Sequence, residues 1–594
     1  MTERTGGVPL FVEEVTRLLL EGGEQRGIQA IPPTLQQSLT ARLDRLGPAR
    51  EVAQIASVIG RGFSYALLRV VAGMQDATLQ TALERLADAD ILLVQGLPPD
   101  SDYRFKHALI QDAAYENLLK SRRQLLHRRI AEALSDNVAV AAAAEPELLA
   151  HHFTQAGLTE DALEWWGKAR LRSLERSALE EAAEHFRRAL DQIAALPATA
   201  ARRREQIKLQ VALITPLVHV KGYAAPETKA AAEKARLLIE RAEALGEPPE
   251  DPLLVFSVLY GFWAANYVAF NGDVMHELAT QFLALAEKQG AAAPLMIGHR
   301  LMGTTLLQTG DIADAQVHLD RAIALYDPIV HRPLATRFGQ DVKVVILCWR
   351  ALALWLLGYP EAARVDADET LKIAREIGQA ATLMYALLVT SLTHIQCGNC
   401  AEANARVDEL VALADEKGAL YWKTLGRMYQ GWLTGEAVDA VHMITSGIAA
   451  YQSTGATLFV PLHLSYLARA YAALSQLDDA WRCIGEAMSA VETTKEKWHE
   501  AEIYRMAGEI ALKSPEGDQA KAHAYFERAL TVARAQQAKS WELRAAMSMA
   551  RLWRDQGKRD EARDLLAPVY GWFTEGFDTL DLKEAKTLLD ELAV

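Results

Sequence analysis

The feature that most constrains this chain is a short motif, Gly-x-x-x-x-Ala, that returns along most of its 594 residues. The glycine-headed copies begin at Gly157, Gly310, Gly358, Gly398, Gly435, Gly517 and Gly557, and serine heads two more at Ser177 and Ser475. From Ala315 onward the alanines are 48, 40, 37, 40, 42 and 40 residues apart. A nearly constant spacing of this length indicates a repeat protein.

Each copy of the motif lies between an apolar helical stretch and an amphipathic one. Glycine ends a helix at little cost in a left-handed conformation, and alanine lets two helices approach closely. The pattern therefore predicts helix pairs that stack on their neighbours. The expected fold is all-α, with a tetratricopeptide-like α-solenoid of helix pairs of about 40 residues each over residues 151–594.

The segment before the repeats has a different organisation. Residues 1–46 predict short helices that have no core of their own. Residues 47–134 predict a winged-helix domain, and the alanine-rich residues 135–150 predict a loose joint. The winged helix consists of helices at 48–59, 64–72 and 76–89, a hairpin formed by 91–94 and 103–106, and helices at 108–119 and 122–134.

Charge and hydropathy narrow the classes of partner. The net charge of −14 disfavours nucleic acid and anionic membranes as main partners. The basic cluster at 122–129 is expected to pair with neighbouring acids, so DNA binding by the winged helix is disfavoured. No stretch is apolar enough to span a membrane, and the N-terminus has no signal sequence, so we expect a cytoplasmic protein.

The sequence shows no catalytic centre. It contains no Gly-x-x-x-x-Gly-Lys phosphate loop and no recognisable nucleophile-base spacing. Cys397 and Cys400 form a C-x-x-C pair on a repeat turn, and no second pair completes a zinc site. We therefore expect neither enzyme activity nor a bound metal in this chain.

Aromatic residues are concentrated in the middle of the array. Most are expected to pack between helices, but some could line the concave groove of the solenoid, where aromatic side chains often anchor a partner. A protein or peptide would then lie in that groove as a helix or an extended strand. The candidates for partner binding are Trp263, Tyr267, Trp349, Trp422, Tyr429 and Trp432.

Two sets of short segments resemble known families. Segments 6–14, 105–115 and 123–127 resemble the end of the nucleotide-binding region of bacterial STAND-type signalling ATPases. Segments 498–505, 538–546 and 571–578 are similar to the C-terminal halves of bacterial proteins that join a class III adenylate/guanylate cyclase, an AAA-type ATPase and a tetratricopeptide array. The resemblance implies that residues 1–46 are the remnant of an ATPase helical lid.

The resemblance also implies a nucleotide site. Gly7 and Pro9 match a turn that contacts adenine and ribose, and His107 matches a histidine that reaches the β-phosphate of ADP. The alternative is that Pro9 starts a helix and His107 caps a strand end. The phosphate loop and the cyclase domain are not in this sequence, so ATP or ADP is expected only together with an upstream ATPase domain.

The preferred hypothesis is therefore a non-catalytic regulatory or sensor region of a signalling ATPase or cyclase. Its solenoid would bind a protein or a small ligand, and an upstream ATPase or cyclase domain would be a further partner. The alternative is a stand-alone protein-interaction scaffold or a winged-helix transcriptional regulator.

Overall fold

The computed structural model describes residues 35–96, 100–135, 145–176, 178–222, 225–247, 251, 253–514 and 517–593. The chain divides into two compact units. The first comprises Met1–Arg172 and Arg187–Pro197, and the second comprises Ser173–Phe186 and Ala198–Val594. Of the three divisions, two fall within the helices α8 (Thr159–Glu175) and α9 (Leu179–Ala194), and the third follows α9.

The first unit combines helices with a small antiparallel sheet. Its strands are β1 (Gly62–Ser64), β2 (Leu92–Gln95) and β3 (Asp102–Phe105), in the order β1-β3-β2. Phe63 lies opposite Tyr103 in the register of β1 and β3, and their rings stack with centroids 5.7 Å apart. The helices are α1 (Leu35–Asp44), α2 (Pro48–Ile59), α3 (Tyr65–Ala72), α4 (Asp76–Asp88), α5 (Ala108–Glu116), α6 (Lys120–Ser135) and α7 (Pro146–Ala156).

The helices predicted for residues 48–134 and the β2–β3 hairpin are present, with ends that move by up to three residues. Strand β1 was not predicted, because three residues carry too little pattern to distinguish a strand from a loop. The sheet consequently has three strands where two were expected. The winged-helix assignment and the domain limits at residues 46, 134 and 150 stay predictions, and the first unit itself extends to Arg172.

The second unit is a succession of antiparallel helices, as the repeat predicted. Its helices from α10 onward are α10 (Ala200–Lys221), α11 (Pro226–Ala244), α12 (Leu253–Val268), α13 (Gly272–Gln289), α14 (Ala292–Thr309), α15 (Ile312–Ala324), α16 (Pro328–His331), α17 (Ala335–Phe338), α18 (Val342–Leu356), α19 (Pro360–Ile377), α20 (Ala380–Gln396), α21 (Cys400–Glu416), α22 (Leu420–Leu433), α23 (Ala437–Ser453), α24 (Val460–Ala473), α25 (Leu477–Thr494), α26 (Glu500–Leu512), α27 (Gln519–Ala535), α28 (Lys539–Asp555), α29 (Arg559–Tyr570) and α30 (Leu580–Ala593).

Among the motif heads that the structure describes, which leave out Ser177, the turn residues behave as the motif predicted, with one exception. The heads of the copies at 157, 310, 358, 398, 475, 517 and 557 all have positive φ angles. The motif alanines from Ala315 to Ala562 are buried between paired helices, with at most 6% of their surface exposed. Gly435 is the exception: α22 ends at Leu433, and the extended Thr434 (φ −64°, ψ 141°) takes the capping position.

The one long spacing, 48 residues between Ala315 and Ala363, has a structural cause. Two short helices, α16 and α17, and the 3-10 turn Arg332–Leu334 are inserted between α15 and α18. Phe338 anchors this insertion, because its ring packs edge-on against Tyr260 at 5.1 Å and its carbonyl accepts a hydrogen bond from the Tyr260 hydroxyl at 2.8 Å.

The array of the second unit coils back on itself, which places residues from 148 to 214 positions apart in contact. The carbonyl of Val268, at the end of α12, accepts from the Thr457 N–H at 2.8 Å. The carbonyl of Gln308, near the end of α14, accepts from the Lys497 N–H at 2.8 Å. Carbonyls at the ends of helices lack partners within their own helix, so these contacts satisfy groups that would otherwise stay unpaired.

Candidate functional site

The first helices of the central repeats, α12, α14, α18, α20, α22 and α24, form the interior of the second unit. In α18 and α20 buried residues occur on every side of the helix. A helix that is apolar on all sides is covered on all sides. The inward faces of these helices therefore contact one another, and the aromatic side chains they carry are removed from solvent.

All six aromatic residues predicted to bind a partner lie in this interior. Their exposed fractions range from 0% for Tyr429 to 7% for Tyr267. The structure places four of them, Trp263, Tyr267, Trp349 and Trp422, around one cavity of about 30 Å³. The other aromatic residues around this cavity are Tyr260, Tyr385, Tyr421, Tyr451 and Phe459.

The walls of this aromatic cavity are held by ring stacking and by hydrogen bonds of the indoles. Trp263 stacks on Tyr267 with ring centroids 4.9 Å apart, and its Nε1 donates to the Thr305 hydroxyl at 2.9 Å. The Nε1 of Trp349 donates to the Tyr385 hydroxyl at 2.7 Å. These contacts fix the orientation of the rings.

At the aromatic cavity, two polar groups find no hydrogen-bond partner among the described residues. The hydroxyl of Tyr267 and the Nε1 of Trp422 are both fully buried, and neither meets a donor or an acceptor. Nearly all buried polar groups in folded proteins are hydrogen-bonded. Two donors that lack acceptors beside one cavity therefore indicate a place where a polar ligand can bind.

The aromatic cavity also has a charged side. Arg300, on α14, is 3% exposed and lines the cavity. Its Nη2 donates to the Tyr260 hydroxyl at 3.3 Å, and its guanidinium lies 5.1 Å from the centroid of the Tyr260 ring. Tyr260 lies in the middle of α12, seven residues before Tyr267, which is about 10 Å along the helix axis at a rise of 1.5 Å per residue.

The remaining two predicted residues belong to an adjacent stack. Tyr429 stacks on Trp432 at 4.0 Å, and Trp432 stacks on Tyr466 at 4.6 Å. His463 lies against this stack, 5.0 Å from Trp432. The Tyr429 hydroxyl, the Trp432 Nε1 and both ring nitrogens of His463 have no hydrogen-bond partner. Burial lowers the pKa of His463 to about 3, so this imidazole is neutral.

A buried carboxyl group, Glu496, lies in the linker between α25 and α26 and contacts Phe459, one of the residues around the aromatic cavity. Both of its oxygens accept from the Phe459 N–H, at 3.0 and 3.1 Å, and one accepts from the Trp498 Nε1 at 3.2 Å. Burial raises the pKa of Glu496 to about 8. The adjacent Phe459 has a φ of 65°, a left-handed conformation that is unusual for a residue with a side chain.

Sequence reasoning missed Arg300, Phe459, His463 and Glu496. Glu496 stands between Lys495 and Lys497, a pattern typical of an exposed turn. Phe459 comes from a linker, and His463 and Arg300 carry no pattern that separates an inward position from an outward one. The only sequence signal for this region was the concentration of aromatic residues in the middle of the array.

In the first unit, two buried histidines, His127 on α6 and His152 on α7, lie in contact, and the exposed His151 lies beside them. The Nδ1 atoms of His127 and His152 are 2.9 Å apart, and the His127 Nε2 is 3.0 Å from the Tyr115 hydroxyl. Burial, aided by the neighbouring His151, lowers the pKa of His127 to about 4 and that of His152 to about 3. The neutral rings can share one proton between the two Nδ1 atoms.

The predicted nucleotide contacts can be placed only in part. His107 follows β3 and precedes α5, and its Nε2 is buried without a hydrogen-bond partner. Gly7 and Pro9 lie outside the described residues. In the basic cluster, Arg122 pairs with Glu51 at 3.0 Å and Arg128 pairs with Glu132 at 2.8 Å, as the sequence suggested.

Across the ranges that the structure describes, no group of three or more His, Cys, Asp or Glu side chains is arranged to hold a metal ion. Within those same ranges, no helix has both the length and the apolar content that crossing a membrane requires.

The helix pairs, their left-handed turn residues and their buried alanines define a tetratricopeptide-like, all-α solenoid. No family model matches the chain. It is 27% identical over 571 residues to an uncharacterized protein of Rhizobium meliloti (strain 1021), a match that covers 93% of this chain and 54% of that protein. The chain thus spans about half the length of the curated relative it matches.

Solved structures similar to this chain include other tetratricopeptide proteins. A Rap protein in complex with competence and sporulation factor has a TM-score of 0.43 and 11% identity, over 66% of this chain and 99% of that one. The APC/C hetero-tetramer Cut9–Hcn1 has a TM-score of 0.41 and 12% identity, and the match covers 89% of this chain and 96% of that one. A STAND protein with a tetratricopeptide repeat sensor from Pyrococcus horikoshii has a TM-score of 0.28 and 12% identity, and the match covers 100% of this chain and 70% of that one.

Proposed function

We propose that the second unit is a ligand-responsive sensor and that the chain is the non-catalytic regulatory part of a bacterial signalling ATPase or adenylate/guanylate cyclase. The observation that carries the sensor is the pair of unpartnered groups, the Tyr267 hydroxyl and the Trp422 Nε1, beside the aromatic cavity. A buried polar group without a partner costs about 1–3 kcal/mol. A small ligand with hydrogen-bond acceptors recovers that cost on binding.

The place of the sensor in a larger protein is supported by two observations. The curated relative is about twice as long as this chain, and segments 498–505, 538–546 and 571–578 are similar to those of cyclase–ATPase–tetratricopeptide proteins. In that arrangement the second unit senses the ligand and an upstream ATPase or cyclase domain carries out the chemistry. Nucleotide at Gly7, Pro9 and His107 would belong to the complete ATPase.

Ligand binding at the aromatic cavity can be tested with a matched pair of variants. Tyr267→Phe removes a hydroxyl for which the structure shows no partner. In the absence of ligand, the unfolding midpoint of this variant should therefore equal or exceed that of the wild type. Tyr385→Phe removes the acceptor of the Trp349 Nε1 and should lower the midpoint. A collection of small polar metabolites is then screened by tryptophan fluorescence, and a true ligand must bind Tyr267→Phe more weakly than the wild type.

Two results would reject the sensor. One is an equal loss of stability in both variants, which would show that the Tyr267 hydroxyl has a structural partner. The other is a screen in which every ligand binds Tyr267→Phe and the wild type alike. The larger architecture is tested separately by translating the DNA upstream of Met1: an in-frame phosphate loop and cyclase domain are expected, and a stop codon followed by an unrelated gene would exclude them.

A further inference from the structure

The aromatic cavity is lined by side chains that donate hydrogen bonds. The Trp422 indole and the Arg300 guanidinium can only donate, because neither has an acceptor atom. The Tyr385 hydroxyl already accepts from the Trp349 Nε1 at 2.7 Å, so its own O–H can donate. The Tyr267 hydroxyl, which meets no donor and no acceptor among the described residues, has a proton to donate as well. A ligand that suits this wall brings acceptors.

The aromatic donors belong to side chains that contact one another around the cavity. The ring centroids of Tyr267 and Trp349 are 6.2 Å apart, and each pair meets edge to face. The centroids of Trp349 and Tyr385 are 6.5 Å apart, and those of Tyr385 and Trp422 are 6.0 Å apart, again edge to face. Aromatic faces carry a negative potential and aromatic edges a positive one. Hydroxyl and indole N–H groups lie at the edges, so these rings can hold an anion through them.

Arg300 adds a positive charge to this wall. Among the described residues that line the cavity it is the only charged one, and none of them is an acid. The guanidinium is buried, so salt screens its charge less than it would at the surface. Glu496, which accepts from the N–H of Phe459 at the cavity wall, keeps its proton up to about pH 8 because burial raises its pKa. At neutral pH the described wall therefore carries a positive charge and no negative one.

We infer that the ligand of this sensor is a small organic carboxylate, whose carboxylate group lies in the aromatic cavity and accepts hydrogen bonds from the Tyr267 hydroxyl and the Trp422 Nε1, with the positive charge supplied by Arg300. This inference rests on the proposed sensor function, because it names the ligand class of the same cavity. A cavity of about 30 Å³ accepts two or three heavy atoms, and a carboxylate group has three.

The test uses the full chain at pH 7 and three probes of two or three heavy atoms. Sodium formate is the expected ligand, formamide is its neutral counterpart, and methylammonium chloride reverses the charge. Binding is measured by saturation transfer in NMR from the protein to the C–H protons of each probe. Sodium chloride keeps the ionic strength constant, so formate has to compete with another anion. A probe of three heavy atoms binds in the millimolar range at best.

The variants separate the charge of Arg300 from the net charge of the protein. Arg300→Gln removes the charge at the cavity. Arg321 on α15 is exposed and does not line the cavity, so Arg321→Gln is the matched control. At an effective dielectric constant of about 20, a unit charge about 10 Å away changes the affinity for a carboxylate by roughly tenfold. Tyr267→Phe removes one of the two proposed donors.

The expected result is saturable binding of formate to the wild type at millimolar concentration. The affinity should be at least tenfold lower in Arg300→Gln, lower in Tyr267→Phe and unchanged in Arg321→Gln. Formamide should bind more weakly than formate, and methylammonium should give no saturable signal. Circular dichroism shows whether Arg300→Gln folds. The comparison of formate with formamide needs no variant, so it stays decisive even where Arg300→Gln does not fold.

Four outcomes would overturn the inference. They are no saturable binding of formate, equal binding of formate by the wild type and folded Arg300→Gln or Tyr267→Phe, an equal loss in Arg300→Gln and Arg321→Gln, and binding of formamide or methylammonium at least as strong as that of formate. Binding of formamide that Tyr267→Phe weakens, without binding of formate, would overturn the carboxylate alone and leave the sensor function standing. The two proposals can therefore fail separately.

Discussion

The backbone N–H of Phe459 donates to both carboxyl oxygens of Glu496, at 3.0 and 3.1 Å, in the interior of the second unit. The two residues lie in the linkers before α24 and α26, one repeat apart. Phe459 has a φ of 65°, and a left-handed conformation of this kind costs on the order of 1 kcal/mol or more. The hydrogen bond to Glu496 holds the Phe459 ring at the aromatic cavity against that cost.

Glu496→Gln should stabilise the protein, and the gain should grow as the pH rises. Burial raises the pKa of Glu496 to about 8 in the folded state from an ordinary value of 4.5. The folded protein therefore keeps a proton that the unfolded chain releases between about pH 5 and pH 8, and the wild type loses stability over that range. Each unit of pKa difference corresponds to about 1.4 kcal/mol. Urea unfolding at pH 5, 6.5 and 8 measures how the gain in stability changes with pH. Glu492→Gln, at an exposed acid on α25, controls for the change in net charge. A loss of stability of the same size at each pH would contradict it.

The histidine cluster should make α6 and α7 sensitive to acid. The folded-state pKa values of His127 and His152, about 4 and about 3, lie below the ordinary value of 6.5. The unfolded chain therefore binds protons that the folded unit does not, and stability should fall as the pH drops from about 6.5 towards 4. Hydrogen exchange of peptides from α6 and α7, corrected for the intrinsic effect of pH, measures this loss. His152→Asn keeps an acceptor for His127 and should make the loss shallower; an unchanged slope would exclude the cluster as its cause.

Ala403→Leu should destabilise the second unit by about 1–3 kcal/mol, because Ala403 is 0% exposed and a larger side chain overpacks the contact between paired helices. Ala401 lies on the same helix, α21, and is exposed. Ala401→Leu should change the stability little. Urea unfolding compares the two variants, and equal shifts in midpoint would show that the motif alanines do not mark the contact between helices.

Gly508→Ala should be strongly destabilising, although alanine ordinarily favours a helix. A Cβ at Gly508, on α26, would lie 2.3 Å from the Phe526 Cε1 on the next helix, so the Phe526 ring would have to move. Gly485 on α25 has no atom within 4 Å of such a Cβ. Gly485→Ala should raise stability by up to about 1 kcal/mol. The thermal unfolding midpoint should fall for Gly508→Ala and rise for Gly485→Ala. A rise in both variants would contradict the close approach at Gly508.

Much of the fold follows from local pattern. The spacing of the Gly-x-x-x-x-Ala motif predicted the helix pairs, the left-handed turns and the buried alanines, because a helix end and the contact with the next helix both depend on residues a few positions apart. An apolar run at 91–94, a turn, and the alternating residues 103–106 predicted the β2–β3 hairpin in the same way. The concentration of aromatic residues indicated the region of the candidate site, and four of the six named residues lie around one cavity.

The tertiary structure decided the rest. The path of the coil depends on the angle between successive repeats, and small angles add up over many repeats, so no local pattern shows that Val268 meets Thr457 or that Gln308 meets Lys497. Glu496 illustrates a related limit: between two lysines it has the sequence of an exposed turn, and only its contacts with Phe459 of the preceding linker and with Trp498 show that it is buried. Local residues determined each helix pair of this protein; contacts between distant repeats determined that its interior is closed and aromatic.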